Sequence, residues 1–219
     1  MPIISVLITA YNVERYIGRA IRSALNQSIA RGSSEIIVVN DCSTDRTRFA
    51  LEVFEDDIKL INNEKRIGLP ASLNRGIKKA KGRFIVRIDG DDYVHDEFLK
   101  VLSLHLSLND DIDAIACDYI LVDNNEHIIG QVNCIEQPIA CGIMFRIDQL
   151  IDIGLYDENF IAREDEDLRI RFLKKYSIAR VQLPLYRYRQ HENSLTNNTK
   201  NMDKYFKMLN EKHSIKDRS

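Results

Sequence analysis

Three carboxylates fall within four residues at Asp89-Gly90-Asp91-Asp92, directly after the apolar run Phe84-Ile85-Val86-Arg87-Ile88. Like charges this close repel, and holding them together takes a cation, hydrogen-bond donors or open water. A hard divalent ion such as Mg2+ or Mn2+ prefers one or two carboxylates plus phosphate oxygens. A solvated turn capping the next helix would use the same run. A second cluster, Asn40-Asp41-Cys42-Ser43-Thr44-Asp45, also follows an apolar run. Asp41 there could accept a hydrogen bond from a nucleobase N–H, while Ser43, Thr44 and Asp45 read as a capping group that opens a helix.

A third cluster, Glu164-Asp165-Glu166-Asp167, opens a helical pattern. Acidic residues in a first turn favour the helix dipole. Four in a row exceed what capping needs, and a clustered carboxylate has the raised proton affinity that suits a general base. The segment from Tyr186 to Ser194 mixes cations, a histidine and hydroxyls. Such groups could meet a diphosphate, or form a solvated edge strand and loop. His95, His105, His127 and His213 have no comparable setting and read as structural or surface groups.

The elements that must position these clusters alternate. Buried strands are expected over 3–9, 35–39, 58–61 and 84–88, separated by helices over 14–26, 45–54 and 70–80. Residues Tyr16, Ile17, Ala20, Ile21, Ala24 and Leu25 recur at helical spacing, Ser43 or Thr44 offers an N-cap, and Pro70 lies near a first turn. Strands separated by helices indicate a parallel sheet with both faces covered, in which ligands bind beyond the carboxyl ends of the strands. Thr9-Ala10-Tyr11-Asn12 and the first two clusters all follow strand ends, so they should share one edge of the sheet. The second half is less regular. A helix is expected over 96–108, a strand over 114–122 bent at Asp118, a hairpin return over 127–132, a helix over 164–176 and a strand over 178–188 around Pro184. Residues 197–219 lose apolar density and read as a tail.

The chain's 219 residues, 44% of them hydrophobic and 29% charged, suffice for one large domain with a sizeable core. Thirty-one basic against thirty-three acidic residues argue against a protein built to coat nucleic acid. No apolar run approaches a transmembrane length, and the first one lacks the basic flank of a signal peptide. Cysteines 42, 117, 134 and 141 form no C-x-x-C pair and read as reduced thiols of a cytosolic protein.

Taken in order and with their spacing, Ser5 to Asn12, Asn40 to Asp45, Gly68 to Gly76, Asp89 to Tyr93, Glu164 to Leu168 and His191 to Ser194 resemble the family-two glycosyltransferases of the GT-A fold, over residues 3–195. That resemblance implies an α/β domain with a Rossmann-like, mostly parallel central sheet, helices on both faces and a less regular acceptor-side C-terminal half. It divides the chain into a nucleotide-sugar half of about 1–95, an acceptor half of about 96–195, and a tail of 196–219. It implies a nucleotide-diphospho-sugar donor, a UDP-sugar foremost. Thr9, Ala10, Tyr11, Asn12 and Asp41 would line the nucleobase pocket. Arg66, Gly68 and Asn74 would lie near base and ribose, and Asp89 at the ribose. Gly90 and Asp92 would support the donor site. Asp91 would ligate Mg2+ or Mn2+, His191 would help hold the diphosphate or metal, and Asp165 would be the catalytic base.

A single base and in-line displacement imply inversion at the anomeric carbon. The acceptor would be a saccharide or lipid-linked hydroxyl in surface polysaccharide or glycolipid synthesis, handled in the cytoplasm or at the inner face of the cell membrane. Arg163 stands where many relatives have glycine and Glu166 where an aromatic is common, so both, with Glu164, bear on the acceptor side. Two rivals remain: a nucleotide-sugar-binding module without turnover, and a sugar nucleotidyltransferase, which would need a glycine-rich loop where Thr9-Ala10-Tyr11-Asn12 stands. In the tail, Met202, Tyr205, Phe206 and Leu209 recur at i, i+3, i+4, i+7 among lysines. This amphipathic helix would lie on a membrane surface or pack on its own domain.

Overall fold

The computed structural model describes residues 2–190 and 199–214. Strand β1 (Ile4–Ala10) is buried along its length except at Thr9. A strand covered on both faces needs such a continuous apolar run rather than alternation. It lies between β2 (Ser34–Asn40) and β4 (Phe84–Asp89), parallel to both, and β3 (Lys59–Asn62) extends the sheet beyond β2. The register pairs Ala10 with Asn40, Asn40 with Asn62, and Thr9 with Asp89. The carboxyl ends of these strands therefore meet on one edge, as the sequence pattern requires.

The helices between them are shorter than periodicity suggests. Helix α1 (Ile17–Leu25) buries Ile17, Ala20, Ile21 and Ala24. It does not begin at Glu14, because that residue is engaged elsewhere: its N–H donates to Asp45 Oδ2 and its carboxylate accepts from the Arg46 N–H. Helix α2 (Thr47–Glu52) is not capped by Ser43 or Thr44. Asp45 Oδ1 instead accepts from the Thr47 N–H at 2.9 Å, while Ser43 and Thr44 bond to Asn12 across the sheet edge. Helix α3 (Leu69–Ile77) starts after Gly68, whose φ of 90° suits glycine.

Beyond β4 the sheet becomes mixed. It continues through β8 (Ile143–Arg146), β6 (Ala114–Val122), β9 (Ile178–Arg189) and the two-residue β5 (Tyr93–Val94), while β7 (Ile128–Val132) pairs with β6 as the expected hairpin. Strand β8 runs antiparallel to β4 and β6, and β9 runs parallel to β6. The bend expected at Asp118 is a register shift against β9, where Asp118 meets Pro184. Proline offers no ladder donor, so pairing breaks there. The sequence pattern does not show β5, β8 or the short helix α5 (Ile147–Asp152). Helix α4 (Phe98–Leu108) buries Phe98, Leu99, Leu102 and Leu106.

Helix α6 (Glu164–Leu173) carries the third acidic cluster at its first turn. What reads as a tail is largely helix α7 (Thr199–His213). Tyr205 and Leu209 of its apolar stripe are buried with Phe160, so this face packs on its own domain. Among the described residues no helix is long and apolar enough to cross a membrane.

Candidate functional site

The sheet edge beyond β1 and β2 is built by two loops laced together. Asn12 has a φ of 53°, a left-handed conformation that asparagine tolerates. This turns its side chain so that Oδ1 accepts from the Thr44 N–H at 2.8 Å. Beside it the Arg66 guanidinium stacks over the Tyr11 ring, 3.8 Å from its centroid. Two planar groups thus meet just past β1, a natural seat for a base. Asp41 is 4% exposed. Its Oδ1 accepts from Asn63 Nδ2 and the Ile67 N–H, and its Oδ2 from the Gly68 N–H, all within 2.9 Å. Asp41 thereby folds the 63–68 loop that carries Arg66 and Gly68 into the site.

Asn74 is engaged within the protein. Its Nδ2 donates to the Tyr156 carbonyl and Glu158, and its Oδ1 accepts from the Tyr156 N–H. It is a strut between α3 and the 156–158 segment.

The acidic turn is held from three sides. Gly90 is required there, since a Cβ would come 2.8 Å from the Thr9 carbonyl oxygen. Asp92 is 2% exposed; its Oδ2 accepts from the Tyr186 hydroxyl at 2.7 Å and its Oδ1 from the Arg189 N–H at 2.8 Å. Burial, with Asp91 and Asp89 beside it, pushes the Asp92 carboxyl well above its ordinary value. Asp89 takes both arms of Arg87, at 2.6 and 3.2 Å. The Cys141 thiol donates to Asp89 Oδ2 at 3.3 Å and stays protonated, because burial and the charges of Asp89 and Asp92 raise it well above the normal range.

Asp89, Asp92 and Cys141 are the one group of three such donors among the described residues within metal-binding reach, their ligand atoms within 4.8 Å of one another. A neutral thiol is a poor ligand for a hard cation, and both Asp92 oxygens already accept hydrogen bonds. That trio is a hydrogen-bonded support for the turn. The oxygen donors suited to Mg2+ or Mn2+ are those of half-buried Asp91, whose carbonyl is fixed by Arg189 Nε at 2.9 Å, with Asp89 next to it. The donor set therefore fits a hard divalent ion that also takes phosphate oxygens, through Asp91.

Arg87 links this turn to α6. Buried in β4, it also donates to Glu164 Oε1 at 3.0 Å. Burial alone would weaken its charge, but Asp89 and Glu164 outweigh that and raise its pKa. Burial, with Asp165 adjacent, pushes the Glu164 carboxyl up to about 7 in spite of Arg87.

The four acids of α6 then separate. Glu164 is held by Arg87, Glu166 by Arg163, and Asp167 by Arg171, Lys212 and His213. Asp165 makes no hydrogen bond or ion pair with a described residue, and it is half-buried. Arg163 has a φ of 60°, a conformation glycine adopts freely and which costs other residues about 1–2 kcal/mol. It is tied to Glu166, to the Met202 carbonyl and over the Phe206 ring, so it serves α7 and does not reach out as a free acceptor-side cation.

The expected diphosphate contact at His191 lies outside the described residues. Arg189, in the same basic segment, is turned inward: its NH1 and NH2 donate to the Asp123 and Asn124 carbonyls and to Glu126. The sequence did not mark Arg87 or Cys141 as site residues, and it placed Tyr186 in a diphosphate-binding segment rather than under Asp92. The signal for Arg87 was present: a cation inside a buried apolar strand demands a buried partner.

The family model described as glycosyl transferase family 2 matches residues 5–214. An Escherichia coli protein, the UDP-Glc:alpha-D-GlcNAc-diphosphoundecaprenol beta-1,3-glucosyltransferase WfgD, is 28% identical over 90% of this chain and 80% of its own length. An uncharacterized glycosyltransferase of Haemophilus influenzae is 37% identical over 59% of this chain, which matches 41% of that protein. In three dimensions, S. aureus TarS 1-349 in complex with UDP superposes with a TM-score of 0.78 at 20% identity, over all of this chain and 67% of that one. The mannosyltransferase PcManGT from Pyrobaculum calidifontis, in complex with GDP-Man and Mn2+, gives 0.76 at 14% identity, over all of this chain and 66% of that one. The fold is thus GT-A.

Proposed function

Because the chain belongs to glycosyl transferase family 2, we propose that it is an inverting transferase moving a sugar from a UDP-sugar to a hydroxyl of a saccharide or lipid-linked acceptor. The observation that supports this most is the isolation of Asp165. Three of the four consecutive acids are locked by arginines, and the fourth has no partner of its own among the described residues. Arg87 ties the helix start that bears Asp165 to Asp89 in the acidic turn, so donor and base share one rigid support.

In this reading the base stacks against the Tyr11–Arg66 pair, and Asp89 meets the ribose. An Mg2+ or Mn2+ ion held by Asp91 would supply Lewis-acid stabilisation of the charge on the leaving diphosphate. Asp165 accepts the acceptor hydroxyl's proton. The acceptor oxygen bonds to the anomeric carbon as the bond from that carbon to the diphosphate oxygen breaks, and the electron pair leaves with the nucleoside diphosphate. With one unpaired base and no second nucleophile invoked, the anomeric configuration inverts. Two relatives favour a carrier-borne or polymeric acceptor: WfgD by its name acts on a diphosphoundecaprenol-linked sugar, and TarS of Staphylococcus aureus on poly(ribitol-phosphate). The reading carries a place in surface polysaccharide or glycolipid synthesis, on the cytoplasmic side of the membrane.

Calorimetric titration of UDP, GDP, dTDP and CMP, with Mn2+ and with EDTA, tests it on wild type and Asp91→Ala. Metal-dependent UDP binding, weakened by the substitution, is expected. Binding of no nucleotide under either condition would sink the donor site.

A further inference from the structure

One arginine at this site is unassigned. Arg169 lies four residues beyond Asp165, one turn along α6. Its neighbours are committed: Arg163 to Glu166 and the Met202 carbonyl, and Arg171 to Asp167 and the Ile153 and Leu155 carbonyls. Arg169 makes no hydrogen bond or ion pair with a described residue, yet it is half-buried. Asp165, Glu166 and Cys134 are near enough to act on it electrostatically, and burial still lowers its pKa. A guanidinium drawn partly out of water without a bonded partner is a site waiting for an anion. Ile135, next in sequence to Cys134, is 53% exposed.

We propose that Arg169 binds a phosphate group carried by the acceptor, one sugar ring away from the hydroxyl that Asp165 deprotonates. Side chains at i and i+4 of a helix stand about 6 Å apart, a span that one pyranose bridges between its attacking hydroxyl and its anomeric phosphate. The flat guanidinium matches phosphate with two parallel hydrogen bonds. Exposed Ile135, next to the Cys134 that acts on Arg169, would accommodate a hydrocarbon attached to that phosphate. This inference rests on the transferase reading above and narrows its acceptor to a phosphorylated one.

The test uses the full chain with Mg2+ and saturating UDP, so that the donor's own diphosphate seat is filled. Farnesyl diphosphate and glycerol 3-phosphate are titrated separately into wild type, Arg169→Gln and Arg169→Lys. Farnesyl diphosphate should bind wild type and bind Arg169→Gln roughly tenfold or more weakly, the size of one lost charge-assisted interaction. Arg169→Lys should fall between, and UDP affinity should be equal in all three. Tighter binding of glycerol 3-phosphate with the same order of variants would support the anion site while assigning it to a soluble phosphate polymer rather than a lipid.

Equal affinity of wild type and Arg169→Gln for both probes overturns the proposal, as does failure of both to bind UDP-loaded wild type. If Arg169→Gln loses UDP binding, Arg169→Lys decides alone, since an ammonium lacks the paired donors: affinity equal to wild type would overturn. Failure of wild type to bind UDP at all would instead defeat the donor reading beneath it.

Discussion

In the turn at 89–92 the most buried carboxylate, Asp92, is held by a tyrosine hydroxyl and a backbone N–H. Among the described residues it forms no ion pair, and its proton affinity rises. At the start of α6 the most buried carboxylate, Asp167, meets Arg171, Lys212 and His213. Burial alone would raise it too, but these donors outweigh burial and hold it below its ordinary value. Similar sequences of acids thus come to opposite electrostatic ends. Neutral donors hold Asp92 at the base of a turn able to lend oxygen ligands on its outer side. Among the described residues, bonded cations hold every acid of the helix but Asp165, which meets Arg169 only electrostatically. Arg87 belongs to both regions and fixes their separation.

The sharpest way to break this comparison is to remove the acid left over. Asp165→Asn should lower kcat by about 10²–10⁴-fold, the usual range for a lost general base, with UDP affinity unchanged by calorimetry. A rate near wild type would mean that the unpaired acid is not the base. Next comes the shared cation. Arg87→Ala leaves buried Glu164 and half-buried Asp89 uncompensated, and breaking a buried pair this way costs about 3–5 kcal/mol. Chemical denaturation should show it. A loss under about 1 kcal/mol would show that the two regions are held together by something else.

Much of the first region was legible in the sequence. Apolar runs ending in Thr9-Ala10-Tyr11-Asn12, Asn40-Asp41 and Asp89-Gly90-Asp91-Asp92 located one sheet edge, because a buried parallel strand leaves its polar residues at its end. The structure pairs those ends as expected. The second region was legible as a cluster but not as a division of labour. Nothing local in Glu164-Asp165-Glu166-Asp167 says which acid stays unpaired, since the partners come from β4, from Arg163 and from α7, up to 77 residues away. The tail's amphipathic helix was legible, but not which of its two expected seats, a membrane surface or its own domain, it takes. Helix α7 has a polar surface but seats Tyr205 and Leu209 on Phe160, and that seat exists only in the folded chain. Arg163 shows the same dependence: its positive φ explains a position that glycine would fill freely, and its contacts with Glu166 and α7 offset the strain.

The α7 clamp gives a smaller effect with a pH signature. The folded-state pKa of Asp167 lies below its unfolded value of 3.8. The stability it contributes is therefore present above that value and is lost as pH falls through the folded-state pKa. Hydrogen exchange of amides 202–213, corrected for intrinsic rates, should show α7 loosening at acid pH before the sheet does. Asp167→Asn should loosen it at neutral pH by about 1.5–3 kcal/mol, the range for hydrogen bonds to a charged group. Protection unchanged in that variant would show that the apolar seat alone holds the helix.

The smallest effect should come from the acid next to the base on its other side. Glu166 and Arg163 form a pair open to solvent, with side chains 36% and 20% exposed. Pairs of this kind contribute about 0–1 kcal/mol. Glu166→Gln should therefore shift stability by less than that and leave kcat within a few-fold, although it stands one residue from Asp165 and was expected on the acceptor side. If catalysis depended on the summed charge of the acidic run, Glu166→Gln and Asp165→Asn would reduce the rate alike. If it depends on the one carboxylate with no bonded cation among the described residues, they should differ by at least two orders of magnitude. Steady-state rates of the two variants, measured with one donor and one acceptor, separate these cases.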